Sequence, residues 1–322
     1  MSVLVYTESE EGKFKKASLE VASYAKEVAQ LLQTTVTAVT FNNKDTSELK
    51  NYGVDKVLNV TNEKLGNFNA EAYADVLKQA AEKEGSKVVV LSQSANSKYV
   101  APLLAVHLNA AYVSNVLNLP ESVDPFTVKR SAFTNKAFSH TKIETDIKIL
   151  GLSNNSFGLR ESQGSATAEE FSPTLSDADF SVKVVSVDKA KDKVSIADAD
   201  IVVSGGRGLK GPENWGMIED LADTLGAALA CSKPVSDMGW RPHGEHVGQT
   251  GKPVASNLYI AIGISGAIHH LVGVNASKVN VVINNDPEAP FFKAADYGVV
   301  GYAFESVPKL NEKLKEFKAK NA

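Results

Sequence analysis

The fold of the C-terminal part of this chain can be predicted from the stretch Ala199-Asp-Ile-Val-Val-Ser204, followed by Gly205-Gly-Arg-Gly-Leu-Lys-Gly211 and Pro212-Glu-Asn214. Its first part is short, apolar and β-branched, which is typical of a buried strand in a parallel sheet. The proline and glutamate that follow the glycine loop are residues with which helices begin. The stretch therefore predicts a strand, a glycine loop and a helix. Such a loop presents free backbone N–H groups and suits a phosphate.

The glycine loop also contains the dinucleotide pattern Gly206-x-Gly208-x-x-Gly211. That pattern is weak evidence by itself, because an NAD site also needs an acidic residue about 20 positions further on, for a ribose hydroxyl. Here the next predicted strand, over residues 227–230, is followed by Cys231-Ser-Lys233 and no carboxylate. An NAD(P)H dehydrogenase is therefore disfavoured, whereas a ligand that carries phosphate is not.

Polar, glycine-containing segments follow the later apolar strands as well. The strands are predicted over residues 258–263 and 279–283, with a last short strand after Gly298. Because the carboxyl ends of parallel strands meet at one edge of a sheet, the polar segments are expected to meet there, where ligands bind in open α/β sheets. These segments are Val247-Gly-Gln-Thr-Gly-Lys252, Ile264-Ser-Gly-Ala-Ile-His-His270 and Asn284-Asn-Asp-Pro-Glu-Ala-Pro290.

These segments resemble those of a known family, the α subunits of electron-transfer flavoproteins. The motifs that carry the resemblance occur in one order over about a third of the chain: Ser204-Gly-Gly-Arg-Gly-Leu-Lys210, Val247-Gly-Gln-Thr-Gly251, Leu258-Tyr-Ile-Ala-Ile-Gly-Ile-Ser-Gly-Ala-Ile268, Asn284-Asn-Asp-Pro-Glu-Ala-Pro290 and Ala295-Asp-Tyr-Gly298. The N-terminal part is similar to the family in length and pattern only. The resemblance implies a Rossmann-like, DHS-like domain that binds FAD.

The resemblance also implies how the protein works. It would form a heterodimer with a β subunit and carry electrons between flavoprotein dehydrogenases, such as the acyl-CoA dehydrogenases of fatty acid β-oxidation, and a membrane quinone reductase or another acceptor. It would turn over no substrate of its own.

Site residues are assigned by the same resemblance. Arg207 would pair with the flavin or the pyrophosphate, and the Thr250 hydroxyl would lie near the flavin N5 atom. His270 would lie near the pyrimidine carbonyl of the flavin, where a donor stabilises negative charge. The other FAD contacts implied are Ser232, Lys233, Val247, Gly248, Gln249, Ser265, Gly266, Ala267, Ile268, His269, Asn284 and Tyr302.

Three of these residues depart from the family pattern. Lys233 stands where the family commonly has Arg, and an ammonium cannot stack on a ring as a planar guanidinium does. His269 stands where Gln is usual, and Tyr302 stands where an acid is often found near the adenine. The contacts of these three residues are expected to differ from those of the family.

Length and composition limit the protein class. With 322 residues, two domains are expected, and 34 basic against 38 acidic residues give a net charge of −4. Neither nucleic acid nor an anionic membrane is an expected partner, and no apolar run is long enough for a membrane span. The one cysteine, Cys231, excludes an intrachain disulfide and is expected to be a small buried residue. The bacterial cytoplasm is the expected compartment, and a processed mitochondrial matrix protein would look the same.

The chain is expected to form two α/β domains, each a mostly parallel sheet covered by helices. A charged, weakly apolar segment between Val187 and Ala197 reads as a linker, so the predicted domains are 1–193 and 194–322, the second ending in a docking helix from Val307. In the first domain, strand and helix patterns alternate up to residue 108. After residue 112 come strand-like pieces predicted to add antiparallel strands or edge pairing, over residues 126–133, 136–141, 142–152 and 181–187.

Three other interpretations compete with the flavin site. Residues Ser92–Ser97 could hold an anion at a helix start, although helix capping by Ser and Asn explains them better. His243, Glu245 and His246 could suggest a metal, but a fourth ligand at fixed spacing is missing. The first domain could also belong to a non-redox, universal-stress-like module that binds ATP or AMP.

Overall fold

The computed structural model describes residues 2–133, 135–187, 195–196 and 199–321. They form two compact α/β units, the first made of residues 2–133 and 137–187 and the second containing residues 195–196 and 199–321. The predicted domain boundary near residue 193 lies outside the described residues.

The first unit is built on one mixed sheet. Its strands of four or more residues are β1 (Ser2–Tyr6), β2 (Thr35–Phe41), β3 (Lys56–Val60), β4 (Val88–Ser92), β5 (Ala111–Val116), β6 (Phe126–Ala132), β7 (Ala137–Lys142), β8 (Lys148–Leu152) and β9 (Thr167–Glu170). They are arranged in the order β7-β6-β5-β8-β4-β1-β2-β3-β9. β6 is antiparallel to both β5 and β7, and the other neighbouring strands are parallel.

Helices cover both faces of this sheet, which explains why its central strands are apolar throughout. Helix α1 (Lys16–Leu31) packs on the face that includes Val3 and Val5. Helices α2 (Ala70–Glu84) and α3 (Ala95–His107) pack on the opposite face.

Two predictions for this unit are wrong. No strand forms over residues 181–187, and the edge strand is instead β9. Within residues 142–152, Lys142 ends β7 and the remaining strand is β8, which lies parallel between β4 and β5 rather than antiparallel at an edge. Four of the five residues of β8 are buried. A strand buried on both faces shows no alternation from which its direction could be inferred.

The second unit contains a parallel sheet of six strands. These are β10 (Ile201–Gly205), β11 (Ala228–Ser232), β12 (His246–Val247), β13 (Leu258–Ile262), β14 (Val279–Asn284) and β15 (Tyr297–Val300), and their order is β12-β11-β10-β13-β14-β15. All neighbouring strands are parallel. From β10 the chain proceeds outward to β12 and then crosses to β13 on the other side. The strand order therefore reverses between β10 and β13, the position at which α/β sheets open a ligand crevice.

Four helices accompany this sheet. Helices α4 (Gly216–Leu225), α5 (Lys233–Asp237) and α7 (Ala303–Asn321) contribute to one apolar cluster, and α6 (Ile268–Val274) contributes to the cluster on the other face. The predicted C-terminal helix packs through Val307, Leu310 and Leu314 against the cluster that contains α4. Over the ranges that the structure describes, no helix is both long and apolar enough to span a bilayer.

Candidate functional site

Two glycine segments, one after β10 and one after β13, touch each other at the crevice between these strands. A Cβ at Gly206 would lie 2.1 Å from the carbonyl oxygen of Gly263, and a Cβ at Gly208 would lie 2.7 Å from the Gly263 Cα. Gly263 itself has φ +63°, a conformation that favours glycine. The loops after β10 and β13 can therefore approach backbone to backbone only while these positions are glycine.

A cavity of about 410 Å³ opens at this edge, within the size range of ligand pockets. Most residues that the resemblance implicated lie around it. They are Arg207, Ser232, Lys233, Val247, Gly248, Gln249, Thr250, Ser265, Ala267, His269, His270 and Asn284.

Three implicated residues are not among those that line the cavity. Gly266 is buried with φ +81°, and a Cβ there would lie 2.5 Å from the Phe291 nitrogen, so this glycine shapes the turn before α6. Ile268 and Tyr302 are exposed, by 63% and 56% respectively.

The segment 246–251 packs against the start of α6, so that two distant parts of the sequence form one wall. The backbone N–H of Gln249 donates to the His269 carbonyl at 2.7 Å, and the Gln249 side-chain oxygen lies 2.9 Å from His269 Nδ1. A Cβ at Gly251 would lie 2.4 Å from the carbonyl oxygen of His246. The segment can lie this close to its neighbours because its turns consist of glycine.

His270 is a deeply enclosed titratable group of the cavity, with 7% of its surface exposed. Its Nε2 lies 2.9 Å from the Tyr259 hydroxyl, and its Nδ1 makes no hydrogen bond of good geometry within the described residues. Burial, together with the nearby His246, lowers the pKa of His270 to about 4. The imidazole is therefore neutral at physiological pH.

His246 is a cavity residue that the sequence did not reveal as one. It is buried and lines the cavity, and burial followed by the charge of Lys233 lowers its pKa. The available signal was its position directly before the glycine segment that begins with Val247.

Its neighbours in sequence are engaged elsewhere. Glu245 binds Arg241, and His243 Nδ1 lies 3.0 Å from the Ser236 hydroxyl. No group of three or more His, Cys, Asp or Glu side chains that could hold a metal occurs in the part of the chain that the structure describes.

The donors around the cavity suit an anionic ligand. Arg207 is exposed, and its guanidinium makes no ion pair or hydrogen bond with any other described residue. Lys233 Nζ lies 2.9 Å from both carboxylate oxygens of Asp237. Within the described residues no group accepts a hydrogen bond from the backbone N–H of Ser265 or Gly266. A diphosphate ester with a polar ring fits a donor set of this kind.

The second anion candidate, at the start of α3, is filled from within the chain. The Glu8 carboxylate accepts hydrogen bonds from Ser92 at 3.2 Å, Ser97 at 3.1 Å and Asn96 at 3.4 Å, and another from Ser94. The Ser94 hydroxyl also caps the helix by accepting from the Ser97 N–H at 3.0 Å. Capping and an internal carboxylate thus account for Ser92, Ser94, Asn96 and Ser97.

Comparison with known proteins identifies the class of protein to which this fold and cavity belong. Residues 3–176 match the family described as "Electron transfer flavoprotein domain", and residues 195–275 match "Electron transfer flavoprotein FAD-binding domain". The chain belongs to the electron transfer flavoprotein family, and FAD is its cofactor.

The relatives identify the branch of that family. "Electron transfer flavoprotein subunit alpha" of Bacillus subtilis is 38% identical over 84% of this chain and 83% of that protein. The protein of the same description from Thermoanaerobacterium thermosaccharolyticum is 32% identical over 98% of each. "Electron transfer flavoprotein subunit alpha, mitochondrial" of Dictyostelium discoideum is 36% identical over 83% of this chain and 78% of that protein. The chain is thus a member of the alpha-subunit family, whose proteins are electron carriers found in bacteria and mitochondria.

Proposed function

We propose that this chain is the FAD-holding subunit of an electron carrier and that the cavity between β10 and β13 is its cofactor site. The observation that carries the proposal is that residues implicated by sequence in five separate segments surround one cavity. The segments begin at Arg207, Ser232, Val247, Ser265 and Asn284. A coincidence of this kind is not expected of residues that merely cap helices and turns.

Each part of the cavity has its own role in holding the cofactor. Arg207 pairs with the flavin or the pyrophosphate, and Lys233 and the backbone N–H of Ser265 offset the charge of the pyrophosphate. The segment 247–250 encloses the flavin ring and the ribityl chain, with the Thr250 hydroxyl near N5, and Asn284 holds the adenosine half. The bound FAD supplies the redox chemistry, while the protein positions it and sets its electrostatic surroundings.

The chain works in this proposal as one half of a heterodimer with a β subunit. It exchanges electrons with flavoprotein dehydrogenases, such as acyl-CoA dehydrogenases, and with a quinone reductase or another acceptor, and it turns over no substrate itself. The proposed domains are residues 1–193 and 194–322, and the proposed compartment is the bacterial cytoplasm. The relatives support an electron-carrier role because they are named as alpha subunits of electron transfer flavoproteins.

The test is co-expression of this chain with an electron transfer flavoprotein β subunit, followed by size-exclusion chromatography with absorbance detection. We expect the two chains to elute together, with bound flavin that absorbs at about 450 nm. Mixing the complex with an acyl-CoA dehydrogenase and its substrate should bleach that band. A colourless protein that binds ATP or AMP in its first unit would contradict the proposal and favour the regulatory module.

A further inference from the structure

Tyr259 is a polar side chain placed in the interior of the second unit. It lies on β13 with 0% of its surface exposed, and its ring stacks at 6.4 Å on that of Phe291. A buried phenol needs a hydrogen-bond partner, because an unsatisfied hydroxyl is costly in an apolar interior. The Tyr259 hydroxyl has one at 2.9 Å, the Nε2 atom of His270.

The direction of this hydrogen bond follows from the surroundings of the phenol. The other hydroxyl beside it, that of Ser204, is buried and makes no hydrogen bond of good geometry with any described residue. The Tyr259 proton therefore has His270 Nε2 as its acceptor. A neutral imidazole carries one proton, so an Nε2 atom that accepts leaves that proton on Nδ1.

The surroundings of Nδ1 agree with this tautomer. The backbone of Val247 acts to raise the pKa of His270 against the larger, opposite effect of burial, as an acceptor close to a ring N–H does. Nδ1 nevertheless lacks a hydrogen bond of good geometry within the described residues. Nδ1 is enclosed within the wall of the cavity that His270 lines.

We propose that Tyr259 is a positioning residue for the flavin site: by donating to Nε2 it holds the His270 proton on Nδ1, so that an uncharged ring with a fixed N–H dipole stands in the wall of the cofactor cavity. The proposal rests on the proposed function for the identity of the ligand. A fixed N–H dipole favours negative charge on a nearby ligand atom and needs no rearrangement when that charge develops. The partner that fixes a tautomer thus contributes to function without touching the cofactor.

The test compares Tyr259→Phe with Tyr297→Phe in the full chain, purified with its β subunit. Tyr297 is 68% exposed and does not line the cavity, so its variant controls for the loss of a phenol hydroxyl. The chain contains six histidines. We would label them with ¹⁵N and assign the His270 signals by their absence in His270→Gln. The ¹⁵N shifts of the ring then report which nitrogen carries the proton.

We expect the wild type and Tyr297→Phe to carry the proton on Nδ1 and Tyr259→Phe to show a mixture of tautomers. FAD should dissociate roughly 5- to 10-fold more readily from Tyr259→Phe, the effect of one lost net hydrogen bond, and the flavin potential should become more negative. A proton on Nε2 in the wild type, or an unchanged tautomer in Tyr259→Phe, would overturn the proposal. An altered tautomer with unchanged FAD affinity and potential would overturn its functional half.

A failure of the proposed function is separable from a failure of this inference. A wild-type complex that never carries flavin would contradict the function, whereas the ring ¹⁵N shifts of the folded chain still decide whether Tyr259 fixes the tautomer. Circular dichroism of each variant establishes that it is folded.

Discussion

Arg241→Ala is the most informative single substitution for the stability of the second unit. Its guanidinium contacts the Glu245 carboxylate at 2.6 and 2.9 Å and the Glu219 carboxylate at 2.8 Å, and it lies 5.4 Å from the Trp215 ring. The Arg241 and Glu245 side chains are only 15% and 8% exposed. Removing the arginine takes a two-pronged cationic contact away from the buried Glu245 carboxylate.

The expected magnitude follows from burial. Breaking a fully buried ion pair by removing one partner costs about 3–5 kcal/mol, whereas an exposed pair contributes about 0–1 kcal/mol. Glu219 is 45% exposed and belongs to the second class. Because Glu245 makes further contacts, the lower end of the first range applies. We expect Arg241→Ala to lower the free energy of unfolding by about 3 kcal/mol.

Urea unfolding followed by circular dichroism measures this loss. Glu219→Gln is the matched control, since it removes only the exposed partner and should cost less than about 1 kcal/mol. Arg241→Lys keeps the charge without the two-pronged contact and should fall between the two. If Arg241→Ala destabilised the protein no more than Glu219→Gln, the buried pair would not hold the segment that leads to His246, and the reasoning would be refuted.

Three further predictions concern the cavity. Gly206→Ala should reduce FAD retention at least about 10-fold, because its Cβ would lie 2.1 Å from the Gly263 oxygen. Gly244→Ala is the control and should retain flavin, because its Cβ meets nothing within 4 Å. Flavin absorbance after gel filtration compares the two variants. Arg207→Ala should bind FAD more weakly and make the first reduction potential of the flavin more negative, and both effects should be smaller in Arg207→Lys. An unchanged potential in the flavin-replete Arg207→Ala variant would count against a role of this charge. The pKa of His270 in the folded state is lowered to about 4, below its unfolded value of about 6.5. The free energy of unfolding should therefore have its full His270 contribution above about pH 6.5 and decrease as the pH falls from there toward about 4. At pH 5 the loss should be about 2 kcal/mol. Urea midpoints of His270→Gln at pH 7 and pH 5 should differ by less than those of the wild type, and equal differences would argue against a buried neutral imidazole.

Where local sequence patterns decide structure, the fold could be read from the sequence. Strands β2 and β3 and helix α2 lie in the region up to residue 108 where strand and helix patterns are predicted to alternate, because apolar periodicity and turn residues agree there. The edge strand β9 escaped prediction, since Thr-Ala-Glu-Glu has little strand character. It is held by pairing with β3 and by the contact of Glu169 with Lys56 at 2.7 Å, and both interactions depend on tertiary structure.

The site shows the same division between local and long-range information. Motifs located Arg207 and the segment 247–250, because their glycines mark the turns that end strands. His246 and Tyr259 were not recognised as parts of the site, because their importance lies in contacts to residues far along the chain. Tyr259 sits within a strand pattern, where an aromatic residue is expected for packing alone.

The Glu8 carboxylate occupies the position at the start of α3 that a bound anion would otherwise take. Because the Glu8 carboxylate is part of the chain, it competes with free anions at an effective concentration on the order of millimolar or higher. A free phosphate or mononucleotide would have to displace this carboxylate from four hydroxyl and amide donors. Lys15, 3.9 Å away, further anchors the resident side chain electrostatically. In the first unit the position at the start of α3 is therefore already occupied by a carboxylate of the chain itself, and the proposed site for a phosphate ester is the glycine-lined crevice of the second unit.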